Sequence, residues 1–378
     1  MTSKVILLPC ETYDEEKIYP LLKAGLGQLG SLAALIRPEE KILLKPNLLK
    51  KSDPDKAVIT HPAVVGTFAR ILREEGYKNI ILADSCGNGT ASKVIKRTGM
   101  DTYLEKYHIP VIDYTEGVHV DFPEGIQAKD FILPRELLDA DCVISLSKMK
   151  THALERITGA VKNSYGFIYG RNKALGHTKY PSADSFARML IDLNRYVKPR
   201  LYIMDGIMAM EGNGPGSGDP TPMGLMLMST DPVALDSVFA RLVDLKPQMV
   251  PTCDHGKKMG LGTWKEENIQ VLLADGREIS MDEAVRKYGN PSFHVDRTQV
   301  RSNVWTRMAK ALNLFRKKPY IDQERCIRCG ICVKSCPVPG GAVNFRNGKG
   351  NPPSYDYKKC IRCFCCQEMC PEKAIKVK

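Results

Sequence analysis

Short, uninterrupted apolar runs alternate with longer stretches of helical period through most of this chain. Val5–Leu8, Lys41–Lys45, Asn79–Asp84, Cys142–Ser145, Leu201–Asp205, Leu225–Ser229 and Ile269–Leu273 predict strands. Helical patterns run from Asp14 to Ile36, from Thr60 (as N-cap) to Glu75, near Thr90–Thr98 and near Ile157–Phe167. Asp231-Pro232 marks one more helix start, an acidic N-cap followed by proline at the first helical position. Strands that are apolar throughout, rather than at alternate positions, are covered on both faces.

The predicted architecture is α/β: an open, mostly parallel, Rossmann-like sheet with helices on both faces, spanning residues 1–290. Such a sheet binds ligands in the crevice outside the carboxyl ends of its strands. The residues at those ends are polar for buried junctions. They include Lys45-Pro46-Asn47, Asp84-Ser85-Cys86-Gly87, Ser147-Lys148-Met149-Lys150-Thr151-His152, and Asp205-Gly206 followed by Glu211-Gly212-Asn213-Gly214-Pro215. Thr158 and Lys162, four apart, are expected on one helix face beside Asn163. Four lysines gathered at one crevice repel unless an anion or nearby acids compensate them. Lys45, Lys148, Lys150 and Lys162 are therefore expected to hold an anionic phosphate or carboxylate, with Asn47, Asn163 and Asn213 orienting it. His152, Asp84, Asp205 and Glu211 are the candidate proton donors, with His177 a further histidine to consider. Gly25-Leu26-Gly27-Gln28-Leu29-Gly30 matches the dinucleotide fingerprint in letters only, because a helical pattern precedes it where a strand is required.

The C-terminal region has a different chemistry. Of 13 cysteines only Cys10, Cys86, Cys142 and Cys253 precede Cys326. The rest fall in two copies of C-x2-C-x2-C-x3-C-P, starting at Cys326 and Cys360, an offset of 360 − 326 = 34 residues. A tight loop of this kind supplies three thiolates to a [4Fe–4S] cubane, and its fourth cysteine ligates the other cluster. The spacing assigns Cys326, Cys329, Cys332 and Cys370 to one cluster and Cys360, Cys363, Cys366 and Cys336 to a second. Cys365 stands where the first copy has Ile331, so it is a spare thiol or a modulator of its neighbours. Residues 319–378 resemble a bacterial-type ferredoxin domain with two [4Fe–4S] clusters, a small α+β fold.

Between the two parts, residues 291–318 read as a basic linker helix. Arg297, Arg301, Arg307, Lys310, Arg316, Lys317 and Lys318 interleave there with Val304, Trp305, Met308, Leu312 and Phe315. Lys+Arg exceed Asp+Glu by 55 − 43 = 12. About −2 per oxidised cluster would absorb part of that excess. With 7% aromatics and no recognised motif, nucleic acid is not an expected partner. No apolar run approaches the ~18 residues of a membrane span, and no signal peptide is evident. A cytoplasmic location is expected, consistent with cysteines used as metal ligands.

Leu44-Lys45-Pro46-Asn47-Leu48, Thr60-His61-Pro62, Ser147–His152 with Thr158–Asn163, Asp205-Gly206 with Glu211–Pro215, and Asp231–Asp236 together resemble the family called domain of unknown function 362. The resemblance covers roughly residues 40–240. It implies an iron–sulfur redox protein of anaerobic metabolism, without a known general substrate. The expected function is that of an oxidoreductase passing electrons from two clusters to an anionic small molecule in the crevice. The alternative is an electron carrier that docks a partner oxidoreductase.

Overall fold

The computed structural model describes residues 2–87, 89–170, 172–298 and 317–378. The body is built on β1 (Ser3–Pro9), β2 (Ile42–Pro46), β3 (Ile80–Leu82), a separate hairpin of β4 (Gly117–Asp121) and β5 (Asp130–Pro134), then β6 (Cys142–His152), β7 (Arg156–Thr158), β8 (Leu201–Glu211), β9 (Asp219–Ser229), β10 (Ile269–Leu273) and β11 (Glu278–Ile279). The main sheet has the order β11-β10-β1-β9-β8-β6-β2-β3, with β7 paired to β6. β3, β2, β6 and β8 are parallel neighbours. β9 runs antiparallel between β8 and β1, and β10 is parallel to β1. Six of the nine strands thus point the same way.

Alternate residues feed two cores. Val5, Leu7, Val143 and Leu227 belong to one face, and Ile6, Leu8, Ile144 and Met228 to the other. The helices Glu15–Gln28 and Pro62–Glu74 cover the second face, while Ala183–Val197 and Pro232–Leu242 cover the first. Asp231 caps its helix as expected, accepting from the amides of Val233 and Ala234. The cap of Pro62–Glu74 is His61 rather than Thr60: His61 Nδ1 accepts from Ala63 N, while the Thr60 hydroxyl bonds Leu146 O. The glycines of the false fingerprint lie at a helix end, with Gly25 against Met228 and Leu8.

Three elements differ from the sequence reading. β6, β8 and β9 each extend to 11 residues, because β8 and β9 continue pairing beyond Gly206 as a hairpin and β6 follows them. Lys148 and Lys150 therefore lie inside a buried strand, not in a loop after it. No helix spans 157–167. β7 ends at Thr158, Gly159 passes so close to Asp236 that a Cβ would lie 2.0 Å from its Oδ1, and a four-residue helix Ala160–Asn163 follows. Thr158 and Lys162 do not share a helix. The helix expected to reach Ile36 stops at Gln28, where Gly30 turns the chain with φ +98°.

The C-terminal module pairs Pro319–Ile321 with Ile375–Val377 and Val343–Asn344 with Ser354–Tyr355. The turns Ile331–Lys334 and Cys365–Met369 hold its cysteines. Most of the expected linker helix lies outside the described residues. Among the described residues no helix is long and apolar enough to cross a membrane.

Candidate functional site

A crevice of about 1030 Å³ opens between the carboxyl edge of the sheet and the C-terminal module. Lys45, Asn47, Asp84, Lys150, Lys162 and Asn163 line the body side. Lys334, Cys336, Cys365, Glu368 and Met369 line the other. Cys336 is one of the eight cysteines of the repeat, so the crevice reaches the edge of the iron–sulfur module.

The lysines differ in state. Lys45 is buried and pairs with Asp84 at 2.8 Å, also donating to Asn163 Oδ1 at 3.2 Å. Burial lowers its pKa, and the Asp84 carboxylate offsets part of that. Lys150 has no carboxylate partner. Its amine donates to Asn47 Oδ1 and Val58 O, and burial pushes its pKa well below the ordinary value. Asn47 and Asn163 are locked together, since Asn47 Nδ2 donates to Asn163 Oδ1 and Asn163 Nδ2 donates to Ser145 Oγ. Lys162 makes no hydrogen bond or ion pair with a described residue and lies 5.7 Å from the Tyr165 ring centroid. Like the exposed Lys334 across the crevice, it is a cation left free to meet a ligand.

Several expected site residues are elsewhere. Lys148 and Asp205 form a fully buried pair at 2.7 Å, closed by Tyr13 OH, which accepts from Lys148 and donates to Asp205. The His61 amide donates to the same carboxylate. Every strong partner of this pair is internal, so neither residue reaches the crevice. The register shift of β6 against β8 between Lys148 and Lys150 separates the two lysines. Glu211 accepts from the amide of His294. Asn213 donates to Ile375 O, and the Gln367 side chain donates to the carbonyls of Asn213 and Gly214. The Glu-Gly-Asn-Gly-Pro segment thus docks the C-terminal module, and only its last residue, Pro215, lines the crevice.

His152 is also a docking residue. Its Nδ1 accepts from the amides of Leu154 and Glu155, which places the ring proton on Nε2, 3.1 Å from Glu368 Oε1. Burial depresses its pKa to about 4, against the pull of Glu368. His177 does line the crevice. It makes no hydrogen bond to the protein, stacks on Phe186 at 4.5 Å, and is held neutral by burial with a pKa of about 3.

The cysteines converge as two sets. Cys326, Cys329, Cys332 and Cys370 line one small cavity. Burial raises the pKa of Cys360 and Cys366, and neighbouring thiols add to it: Cys363 and Cys336 at Cys360, and Cys363, Cys360 and Cys332 at Cys366. The amides of Ala342 and Ala374 donate to Cys336 Sγ and Cys370 Sγ at 3.2 and 3.3 Å, and Tyr355 OH donates to Cys366 Sγ. Hydrogen bonds to sulfur suit thiolates holding a cluster. Among the described residues no three His, Cys, Asp or Glu side chains converge on a single-ion site.

Glu368, Gln367, Lys173 and Glu155 were not singled out in the sequence. Lys173 lines the crevice and donates to Ser85 O. Glu155 is fully buried, both of its carboxyl oxygens lack a hydrogen-bond partner, and burial raises its pKa well above the ordinary value. The repeat held a usable signal for the others. Cys365, Gln367, Glu368 and Met369 replace Ile331, Val333, Lys334 and Ser335 of the first copy, and these departures face the body.

Residues 42–241 match the family described as domain of unknown function (DUF362). The chain belongs to this family. Residues 318–371 match a 4Fe-4S dicluster domain, so this DUF362 protein carries a module for iron–sulfur binding and electron transfer. It is 34% identical over 283 residues to the thylakoid-associated protein sll1697 of Synechocystis sp., covering 75% of this chain and 87% of that one. It is also similar in fold to the lactate racemase apoprotein of Thermoanaerobacterium thermosaccharolyticum, with TM-score 0.42 and 12% identity over 64% of this chain and 57% of that one. A Thermotoga maritima protein of known structure gives TM-score 0.38 and 13% identity over 66% and 60% of the two chains.

Proposed function

We propose that this DUF362 protein binds an anionic small molecule in the crevice and reduces it with electrons from its C-terminal module. The observation that carries this reading is that Lys162, which forms no ion pair with a described residue, lines the same cavity as Cys336. Cys326, Cys329, Cys332 and Cys370 would hold one cluster, and Cys360, Cys363, Cys366 and Cys336 the other. Bound there, the clusters supply electrons one at a time. Lys162 and Lys173 attract the anion, the Asn47–Asn163 pair fixes the edge it meets, and Lys150 holds Asn47 in place by donating to its Oδ1. His177, unbonded and neutral, is placed to donate or accept a hydrogen bond.

Anaerobically purified protein reduced with dithionite tests this. Its bleached absorbance should recover on adding some phosphorylated or carboxylated metabolites. Recovery should slow by roughly tenfold or more in Lys162→Met, with iron content unchanged. Recovery with a protein oxidant alone would overturn the reading and favour a carrier that docks a partner oxidoreductase.

A further inference from the structure

A second cavity, of about 860 Å³, opens on another side of the junction between body and module. Lys50, Lys51, Lys56, Lys93, Arg97 and Lys373 line it, against one acid, Asp53. Lys50 and Lys373 are committed: Lys50 donates to the carbonyls of Glu368 and Cys370, and Lys373 to Gly218 O. Lys51, Lys56, Lys93 and Arg97 are exposed and form no ion pair with a described residue. They come from two separate segments, the loop after β2 and the helix Ala91–Thr98, which the fold brings to the same rim.

The cavity floor adds a second observation. Ile331, Met369 and Pro371 line it, adjoining Cys332 and Cys370 in the chain; Ile331 and Met369 also line the crevice, whereas Pro371, next to Cys370, lines the basic cleft alone of the two. Both cysteines belong to the set that lines the small cavity of the first cluster site. The crevice, by contrast, is reached by Cys336 of the second set and by the spare thiol Cys365. One cluster site therefore borders a basic cleft, and the other borders the ligand crevice.

We propose that the basic cleft is the docking site of an acidic one-electron carrier protein, which delivers electrons at the first cluster site. The cluster assignment rests on the reading above. Four unpaired cations around a concavity steer an acidic protein over long range and orient it. Their spread around a rim, without convergence on one point, favours a protein surface over a small polyanion. The concave shape disfavours a flat lipid bilayer, which would touch only the rim. In each encounter the carrier gives up one electron and is oxidised by one step. The module takes that electron and is reduced by one step, and no bond forms or breaks.

The probe is flavodoxin in its hydroquinone form, mixed with the oxidised full chain in a stopped-flow instrument, with Kd for oxidised flavodoxin measured by calorimetry. The rate constant for bleaching should fall about tenfold or more between about 20 mM and about 300 mM salt. Joint replacement Lys51→Glu, Lys56→Glu, Lys93→Glu and Arg97→Glu should slow it roughly 10–100-fold at low salt, abolish the salt dependence and weaken binding. Dithionite reduction and iron content should not change. Should the fourfold variant misfold, Lys51→Glu and Lys93→Glu taken singly should give smaller, graded losses. Unchanged flavodoxin kinetics overturns the proposal. So does a site for inorganic pyrophosphate or for phosphatidylserine vesicles that the variant loses while flavodoxin kinetics persist. Reoxidation of the dithionite-reduced variant by small anions reports on the crevice alone, so failure of that reading is seen separately.

Discussion

His152 Nε2 lies 3.1 Å from Oε1 of Glu368, a partner 216 positions along the chain. His152 ends the central strand β6, and Glu368 lies between Cys366 and Cys370 on a turn of the iron–sulfur module. The two backbone amides on Nδ1 leave the imidazole only one proton to give, and it points at Glu368. Burial around the pair strengthens the bond and raises the cost of losing either end.

Glu368→Ala should leave a buried N–H without a partner, a loss of about 1–3 kcal/mol. Hydrogen exchange in the Cys365–Met369 turn should rise together with a fall in Tm. Glu368→Gln retains an acceptor and should lose less. Equal stability of all three proteins would show that the pair does not hold the module to the body.

Acid should destabilise the fold over a defined window. The pKa values of His152 and His177 are depressed to about 4 and about 3, from 6.5. Between those values and 6.5 the unfolded chain binds more protons than the native one, so stability is complete above pH 6.5 and falls as pH falls. His152 contributes on the order of 3 kcal/mol to that fall and His177 on the order of 5 kcal/mol. Denaturant unfolding at a series of pH values should show it, and His177→Gln should make the slope shallower. A flat profile from pH 7 to pH 5 would contradict the burial of both rings.

Lys148→Met should behave as a stability variant and not as a binding variant. It strands the Asp205 carboxylate inside the body, at a cost of about 3–5 kcal/mol. Lys148→Met combined with Asp205→Leu should recover part of that loss, because both charges are then gone. A variant that stays stable but loses anion binding would restore Lys148 to the crevice.

Cys366→Ser should remove roughly half of the iron bound per chain, whereas Cys365→Ser should keep it. Cys365 lines the crevice and is two residues from Cys363, so its loss should alter the spectrum of the module without emptying it. Iron and acid-labile sulfide analysis distinguishes the two. Iron lost from Cys365→Ser would make that residue a ligand.

The double cysteine run could be read from the chain because its chemistry is local: spacing alone delivers thiolates to a loop, and the offset of 34 residues pairs the loops. The same holds for the apolar strands and the Asp231 cap, where each signal lies within a few residues of its effect. The lysines show where such reasoning stops. Lys45, Lys148, Lys150 and Lys162 look alike in sequence, yet one pairs with Asp84, one with Asp205, one is buried with no carboxylate partner, and one is free. Those differences come from partners scattered along the chain and from a register shift that no local pattern announces.

Sequence alone therefore established an α/β body of the DUF362 type joined to an iron–sulfur module of the 4Fe-4S dicluster kind. The tertiary structure decided which charges are left unspent. Folding brings Glu368 to His152, Gln367 to the Asn213–Gly214 carbonyls and Cys336 to the crevice of Lys162. A cation's role depends on whether an acid lies within a few ångströms of it and on how much water it keeps, and only the assembled chain sets both.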